Sequence, residues 1–314
     1  MGSPVPNAVD DVPAPVSRLA RSLGRAARAL GAIALVVLAC VLLGAAAYLA
    51  RPRPAPAREA LFRGVVYTRE VREGPPPSIV HTVTVDLDAP GVALLVTPGD
   101  PARSLPLDAR TTSAFLLESH AQIAVNGDFF TPWYSNHALD FYPHVGDPVE
   151  VDGYAAAGGV VYSRKTSPAT RTLRVSRAGR PSLTLPLEQA VHAISGEALL
   201  DAGVVAVAGS RRDPDAPLPR TAVGLDREER RLFLFVVDGR QAGYSEGVGL
   251  RALAAIALAA GAWNAINLDG GGSSALVAEA GPGRARQLSS PAHTRIPRRE
   301  RPVANHLGVQ ASPL

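Results

Sequence analysis

Ala265-Ile266-Asn267-Leu268-Asp269-Gly270-Gly271-Gly272-Ser273-Ser274 is the stretch on which the reading of this 314-residue chain turns. An apolar run ends at a carboxylate, three consecutive glycines follow, and two hydroxyls come directly after them. A strand that stops at Asp269 places that side chain at the rim of a sheet. The glycines permit φ > 0 and let successive N–H groups converge on one point. An acid beside such a nest suits a site for a sugar or a phosphate. A plain Gly-rich turn fits the same local pattern.

Upstream, Leu250, Leu253, Ala254, Ala257 and Leu258 form an apolar stripe at helical spacing over residues 248–260, with Ser245 placed as an N-cap. Before it, residues 233–237 read as a strand that ends at Asp238-Gly239-Arg240. Strand, helix and strand in that order have the layout of a β-α-β crossover, which puts Asp238 and Asp269 at strand C-termini on one sheet edge. Residues 221–225 and 231–237 form a hairpin around 226–229. Residues 79–87 alternate as a strand with 92–96 as the expected hairpin partner. Residues 108–119 read as a helix capped by Thr111 or Asp108, and 122–125 as a buried strand running into Asn126-Gly127-Asp128-Phe129-Phe130. A long aromatic loop follows over 131–153. Short strands are expected at 159–163, 170–176, 182–185, 190–195 and 304–310, with a polar, Pro-broken loop at 211–219. Many short strands and few helices predict an α+β fold with a mixed β-sheet core.

The N-terminal part differs in kind. Residues 1–29 are rich in Pro, Ala, Ser and Arg and read as a disordered cytoplasmic segment. Residues 30–50 carry no charge and are long enough for a single transmembrane helix. Arg18, Arg21, Arg25 and Arg28 before the span favour a cytoplasmic N-terminus, which leaves the rest of the chain extracytoplasmic at the cell membrane. Two processing alternatives fit less well. A signal peptide cut near Ala45-Ala46-Ala47 has too long an n-region, and a lipoprotein box at Cys40 is followed by more apolar chain. Residues 51–59 read as a stiff Pro-rich linker and 60–314 as the folded domain.

Composition narrows the function classes. Hydrophobic content of 46% with 19% charged residues describes a globular chain. The net charge is only +4, Lys165 is the sole lysine, and no dense basic helix occurs, which argues against nucleic acid as a partner. Cys40 is the one cysteine, so the folded region has no disulfide and no thiolate metal site. The histidines show no zinc spacing and no EF-hand loop appears, so neither a metal nor a cofactor is expected. The glycines after Asp269 lack the Gly-Lys-Ser/Thr ending of a P-loop.

Asn126-Gly127-Asp128-Phe129-Phe130, Arg220-Thr221-Ala222-Val223-Gly224, Asp238-Gly239-Arg240 with Ser245 and Gly247, and the run from Ile266 to Ser273 stand in the order of the phosphodiester glycosidase family. Arg301 with Val303 resembles the last motif of that family, and the resemblance spans about residues 60–312. It implies hydrolysis of a sugar-1-phosphodiester, of the GlcNAc-1-phosphate type, between the anomeric carbon and the phosphate oxygen. Such a reaction must stabilise an oxocarbenium-like sugar and a departing anion. On that footing Asp269 faces the anomeric centre as base or nucleophile, and Asp238 is the second carboxylate. Arg220 and Arg301 grip the phosphate, and Ser245 with the following helix start holds the same anion. Asn126 and Gly127 meet the sugar, while Asp128, Thr221, Gly270, Gly271, Gly272 and Ser273 complete the substrate-binding set. Glycine is common in the family at the position of Asp128, so that carboxylate is not expected to be indispensable. Glu197 reads as an exposed turn residue, and Trp133 and Tyr134 either stack on a sugar or pack the long loop. The expected substrate is a sugar phosphate of a surface glycan or wall polymer. A phosphodiesterase that breaks P–O and a non-catalytic glycan-binding or polymer-assembly protein are the alternatives.

Overall fold

The computed structural model describes residues 15–207 and 213–314. Two compact units emerge, Met1–Pro52 and Arg53–Leu314. The first holds one helix, Pro15–Leu49 (α1), within which Leu23–Tyr48 is long and apolar enough to cross a membrane. Residues 15–29, expected to be disordered, belong to this helix, because Ala, Leu and Arg are strong helix formers that extend it N-terminally. Residues 1–14 of that expected segment lie outside the described residues, as do 211 and 212 of the expected 211–219 loop.

In the second unit the elements around the site are Ser78–Asp86 (β1), Thr112–Ser119 (α2), Ile123–Asn126 (β2), Ala190–Asp201 (β3), Arg220–Leu225 (β4), Arg231–Val237 (β5), Leu250–Ala260 (α3), Asn264–Asn267 (β6), Leu276–Glu279 (β7) and His306–Gln310 (β8). The larger sheet runs Ala57–Phe62, Val65–Arg72, β1, β5, β4, β6, β3, Tyr154–Ala157, Val160–Arg164. The smaller runs Ala285–Gln287, β7, β2, β8, Ala93–Val96. The first strand starts at Ala57, inside the stretch expected as linker, because it pairs with Val65–Arg72.

Alternation along the strands explains the layering. On β5, Leu232, Leu234 and Val236 join the core between the two sheets, with Val223 and Leu225 of β4 and Ile123, Val125, Leu307 and Val309 from the opposite sheet. Phe233, Phe235 and Val237 point the other way, onto Leu250, Leu253, Ala254 and Ala257 of α3. Phe115 and Leu116 of α2 cover Ala124 and Val277 on the outer face of the smaller sheet. The order of layers is therefore α3, larger sheet, smaller sheet, α2. Strands covered on both faces carry continuous apolar runs, which is how β4 and β5 read.

The α+β expectation holds, with strands predominating. The mixed sheet does not: strand pairs in both sheets are antiparallel among the described residues. β5 and β6 do run parallel across the α3 crossover, but β4 lies between them and pairs antiparallel with each, so the two never meet. The expected hairpin partner of β1 is also elsewhere. Ala93–Val96 pairs with β8, since both edges of β1 are taken by Val65–Arg72 and β5. Thr111 caps α2 as expected, its Oγ1 accepting from the Ala114 N–H at 3.2 Å. The cap of α3 is Gly249, without a side-chain bond.

Candidate active site

The turn at Asp269 is tied to both sheets. Past the end of β6, the Leu268 N–H donates to the Thr221 carbonyl (2.8 Å) and the Asp269 N–H to the Gly127 carbonyl (3.0 Å). Asn126, buried at the end of β2, closes the junction. Its Nδ2 donates to the Asp269 carbonyl (2.7 Å), and its Oδ1 accepts from Thr221 Oγ1 (2.7 Å) and the Ala275 N–H (3.1 Å). Asn126 and Thr221, expected to meet substrate, therefore hold the loop that carries Asp269. Both residues are buried, Asn126 at 1% exposure and Thr221 at 0%. Gly127 is required by packing: a Cβ there would stand 2.2 Å from Asn305 Oδ1.

Asp128 lies beneath this rim, 2% exposed. Its Oδ1 accepts from the Ser195 N–H (2.9 Å) and Asn305 Nδ2 (3.3 Å), and its Oδ2 has no hydrogen-bond partner among the described residues. Burial pushes its carboxyl well above the ordinary range, and the two donors offset only part of that.

Above the rim, Asp152, Glu197, Arg220, Asn267, Asp269 and Trp133 help to line a pocket of ≈ 110 Å³. Asp269 Oδ1 accepts from the Gly270 N–H at 2.9 Å. Glu197 sits on β3 opposite Asn267 of β6, and Asn267 Nδ2 approaches Glu197 Oε2 at 3.4 Å. The Asn267 Oδ1 is buried without a partner among the described residues. Arg220 is anchored by its Nε to the Val248 carbonyl and its Nη2 to the Ala216 carbonyl, both at 3.0 Å.

A groove of ≈ 1010 Å³ adjoins the pocket, sharing Trp133, Leu218, Asp269, Gly270 and Gly271 with it. Arg240, Arg295, Arg301 and His137 also line it. Arg301 packs its guanidinium 5.0 Å from the Trp133 ring centroid and donates from Nη1 to Ser273 Oγ and from Nε to His293 Nδ1, each at 3.2 Å. Burial, aided by the Arg301 charge, holds His293 down at about 3, so its Nδ1 is free to accept. The glycines act differently from the expected nest. The amides of Gly271 and Ser273 donate internally, to the Pro219 and Gly270 carbonyls. What the absent side chains provide is room: a Cβ on Gly271 would lie 2.9 Å from Arg240 Nη2, and one on Gly272 would lie 3.0 Å from Arg301 Nη2. Gly271 also has φ +63.

Several residues singled out in the sequence have other surroundings than expected. Asp238 follows β5 at the same sheet edge as Asp269 but turns inward. Its Oδ2 accepts from His81 Nε2 (3.0 Å) and its Oδ1 from the Ser290 N–H (2.7 Å), at 3% exposure. The Tyr67 hydroxyl shares a hydrogen bond with the other His81 nitrogen at 2.8 Å. Both of its oxygens are thus occupied by groups of the protein itself. Ser245 neither caps α3 nor reaches the groove: its hydroxyl donates to the Asp238 carbonyl (2.5 Å) and accepts from the Ile79 N–H (3.0 Å). Nor does the start of α3 face an anion, because the Leu250 N–H donates to the Pro214 carbonyl at 2.5 Å. Glu197, read from sequence as an exposed turn, is 8% exposed and lines the pocket, because β3 continues to Asp201. The continuous apolar pair Leu199-Leu200 was the available signal.

The profile of the phosphodiester glycosidase family matches residues 119–310. The fold is similar to the catalytic domain of zebrafish N-acetylglucosamine-1-phosphodiester alpha-N-acetylglucosaminidase, auto-inhibited by its pro-peptide, with a TM-score of 0.56 and 22% identity over 82% of this chain and 83% of that one. A hypothetical protein from Synechocystis aligns with a TM-score of 0.52 and 16% identity, over 82% of this chain and 64% of that one. A putative exported protein from Burkholderia pseudomallei gives a TM-score of 0.52 and 16% identity, over 74% of each chain. No curated protein sequence matches the chain. The family profile spans well over half of the 314 residues, and the sandwich that positions Asp269 is shared with a solved catalytic domain: the chain belongs to the phosphodiester glycosidase family.

Proposed function

We propose that this chain is a membrane-anchored hydrolase that works outside the cytoplasm, cleaving the sugar C1–O bond of sugar-1-phosphodiesters in surface glycans or wall polymers. The observation that carries this reading is the junction at Asp269, where a small pocket with three carboxylates meets a groove lined by arginines. A sugar placed in the pocket meets Asp152, Glu197 and Asp269, whose carboxylates accept from sugar hydroxyls. The phosphate then lies toward Arg301 and Arg220, whose guanidinium groups stabilise the anion as it departs. Carboxylates stabilise positive charge at the anomeric carbon and activate or replace water. Asp269 takes that place as base or nucleophile, and Glu197 replaces Asp238 as the second carboxylate. The apolar α1 supports the retained anchor.

The test uses the full chain in detergent micelles, a GlcNAc-1-phospho-sugar diester and oxygen-18 water. Label in the released GlcNAc is the expected result. Label in the phosphate means that P–O is broken, and binding without release of GlcNAc means that the protein is a glycan-binding one.

A further inference from the structure

We infer that the arginine-lined groove is built for an aglycone that carries negative charge beyond the scissile phosphodiester, as a phosphate-bearing chain does. This rests on the glycosidic reading of the adjoining pocket. A phosphodiester bears a single negative charge, and Arg220 of the pocket and Arg301 of the groove suffice to meet it. The groove goes on past them. At ≈ 1010 Å³ against ≈ 110 Å³ it is about nine times the volume of the pocket, and it presents Arg240 and Arg295 as well. Asp269, at the junction, is the one carboxylate among the described residues that line it. A concave surface on which one sign of charge predominates concentrates ligands of the opposite sign.

Backbone geometry separates these two arginines from ordinary surface ones. Arg240 has φ 60, Thr294 φ 52 and Arg295 φ 61, all in the left-handed region that side chains other than glycine avoid. Seven described non-glycine residues have positive φ, and three of them line this groove. Strain of this kind persists only where surrounding contacts impose it. Those contacts are present. The Arg240 turn is closed by the Gln241 and Ser245 backbones, each donating to the carbonyl of the other (3.0 and 2.9 Å). The Thr294 turn is closed by the Ile296 N–H donating to the His293 carbonyl at 3.0 Å. Gln241 joins the Arg240 turn to the segment leading into the Thr294 turn, with its Nε2 donating to the Ser290 carbonyl (2.9 Å) and its Oε1 accepting from Ser290 Oγ (2.9 Å). The two turns therefore hold Arg240 and Arg295 on one groove, and the missing side chain of Gly271 admits the Arg240 guanidinium.

Three GlcNAc-1-phosphodiesters test this on the full chain in detergent micelles. Their alcohols are methyl, one ending in a phosphate, and an uncharged one of equal size. Titration calorimetry measures binding, and GlcNAc release measures turnover. The phosphate-ended diester is expected to bind about tenfold more tightly than the other two at low ionic strength, with that preference shrinking several-fold near 0.2 M salt. Arg295→Gln and Arg240→Gln should each remove about threefold or more of the preference. Equal affinity for the charged and uncharged extensions overturns the inference, as does a preference untouched by both substitutions. Charge-dependent binding with no GlcNAc release leaves the groove assignment standing and sinks the glycosidic reading. Release from all three diesters at equal kcat/KM does the reverse.

Discussion

Asp238 and Glu197 show how a carboxylate's surroundings decide its use. Asp238 completes a buried chain with His81 and Tyr67 and accepts from the Ser290 amide. Glu197 reaches the pocket wall beside Asn267. Substitutions should separate the two. Glu197→Gln keeps volume and fold, and is expected to lower kcat by about 100-fold or more with an unchanged thermal midpoint. Asp238→Ala leaves the buried Nε2 of His81 and the buried Ser290 amide unpaired, at about 1–3 kcal/mol each. It should lower the midpoint by several degrees while the folded fraction keeps its kcat. The reverse pattern would return Asp238 to the site. Sequence patterning located Asp238 at a strand end but not its orientation, since a single rotamer turns a rim residue inward. It read Glu197 as a turn, whereas β3 runs on to Asp201.

At the scale of elements, the crossover from β5 through α3 to β6 is the piece most legible in the sequence, because its apolar stripe and strand runs are local patterns. α3 is held by the outward face of β5, where Phe235 is fully buried against the helix cluster. Phe235→Ala is expected to destabilise the domain by about 3–5 kcal/mol, read as a fall in thermal midpoint, without changing KM in the folded fraction. A loss below about 1 kcal/mol would mean that α3 contributes little to the stability of the larger sheet. The place of Ala93–Val96 was not legible. Its partner His306–Gln310 lies some two hundred residues downstream, and no local periodicity encodes a pairing that distant.

For the whole molecule, acid is the informative perturbant. Burial holds His306 and His293 at about 3, with the charges of Arg110 and Arg301 respectively adding to the effect. Unfolded histidine titrates near 6.5. Below that pH the unfolded chain takes up protons that the folded protein refuses, so stability is intact above 6.5 and is lost as pH falls toward 3. Each histidine contributes a slope approaching about 1.4 kcal/mol per pH unit. Asp128 acts in the opposite sense, since its folded form keeps a proton that the unfolded chain releases above about 3.9. The thermal midpoint is expected to fall steadily from pH 6.5 to 4.5, and more steeply in Asp128→Asn. A flat profile in both would contradict the buried neutral state of these imidazoles.

By itself the sequence determined the apolar N-terminal helix, the hairpin of β4 and β5, the crossover helix, the family motifs and Asp269 at the end of a strand. Each of these is written within a few tens of residues, as hydrophobic period, turn chemistry or ordered motif. Only the tertiary structure decided that the sheets are antiparallel, that Asn126 and Thr221 brace the loop, that Asp238 is buried and that Glu197 and Arg240 border the cavities. Those outcomes depend on which strands become neighbours and which polar atoms find partners in the interior. Such pairings are set by packing two sheets and two helices together, and no single stretch of the chain contains them.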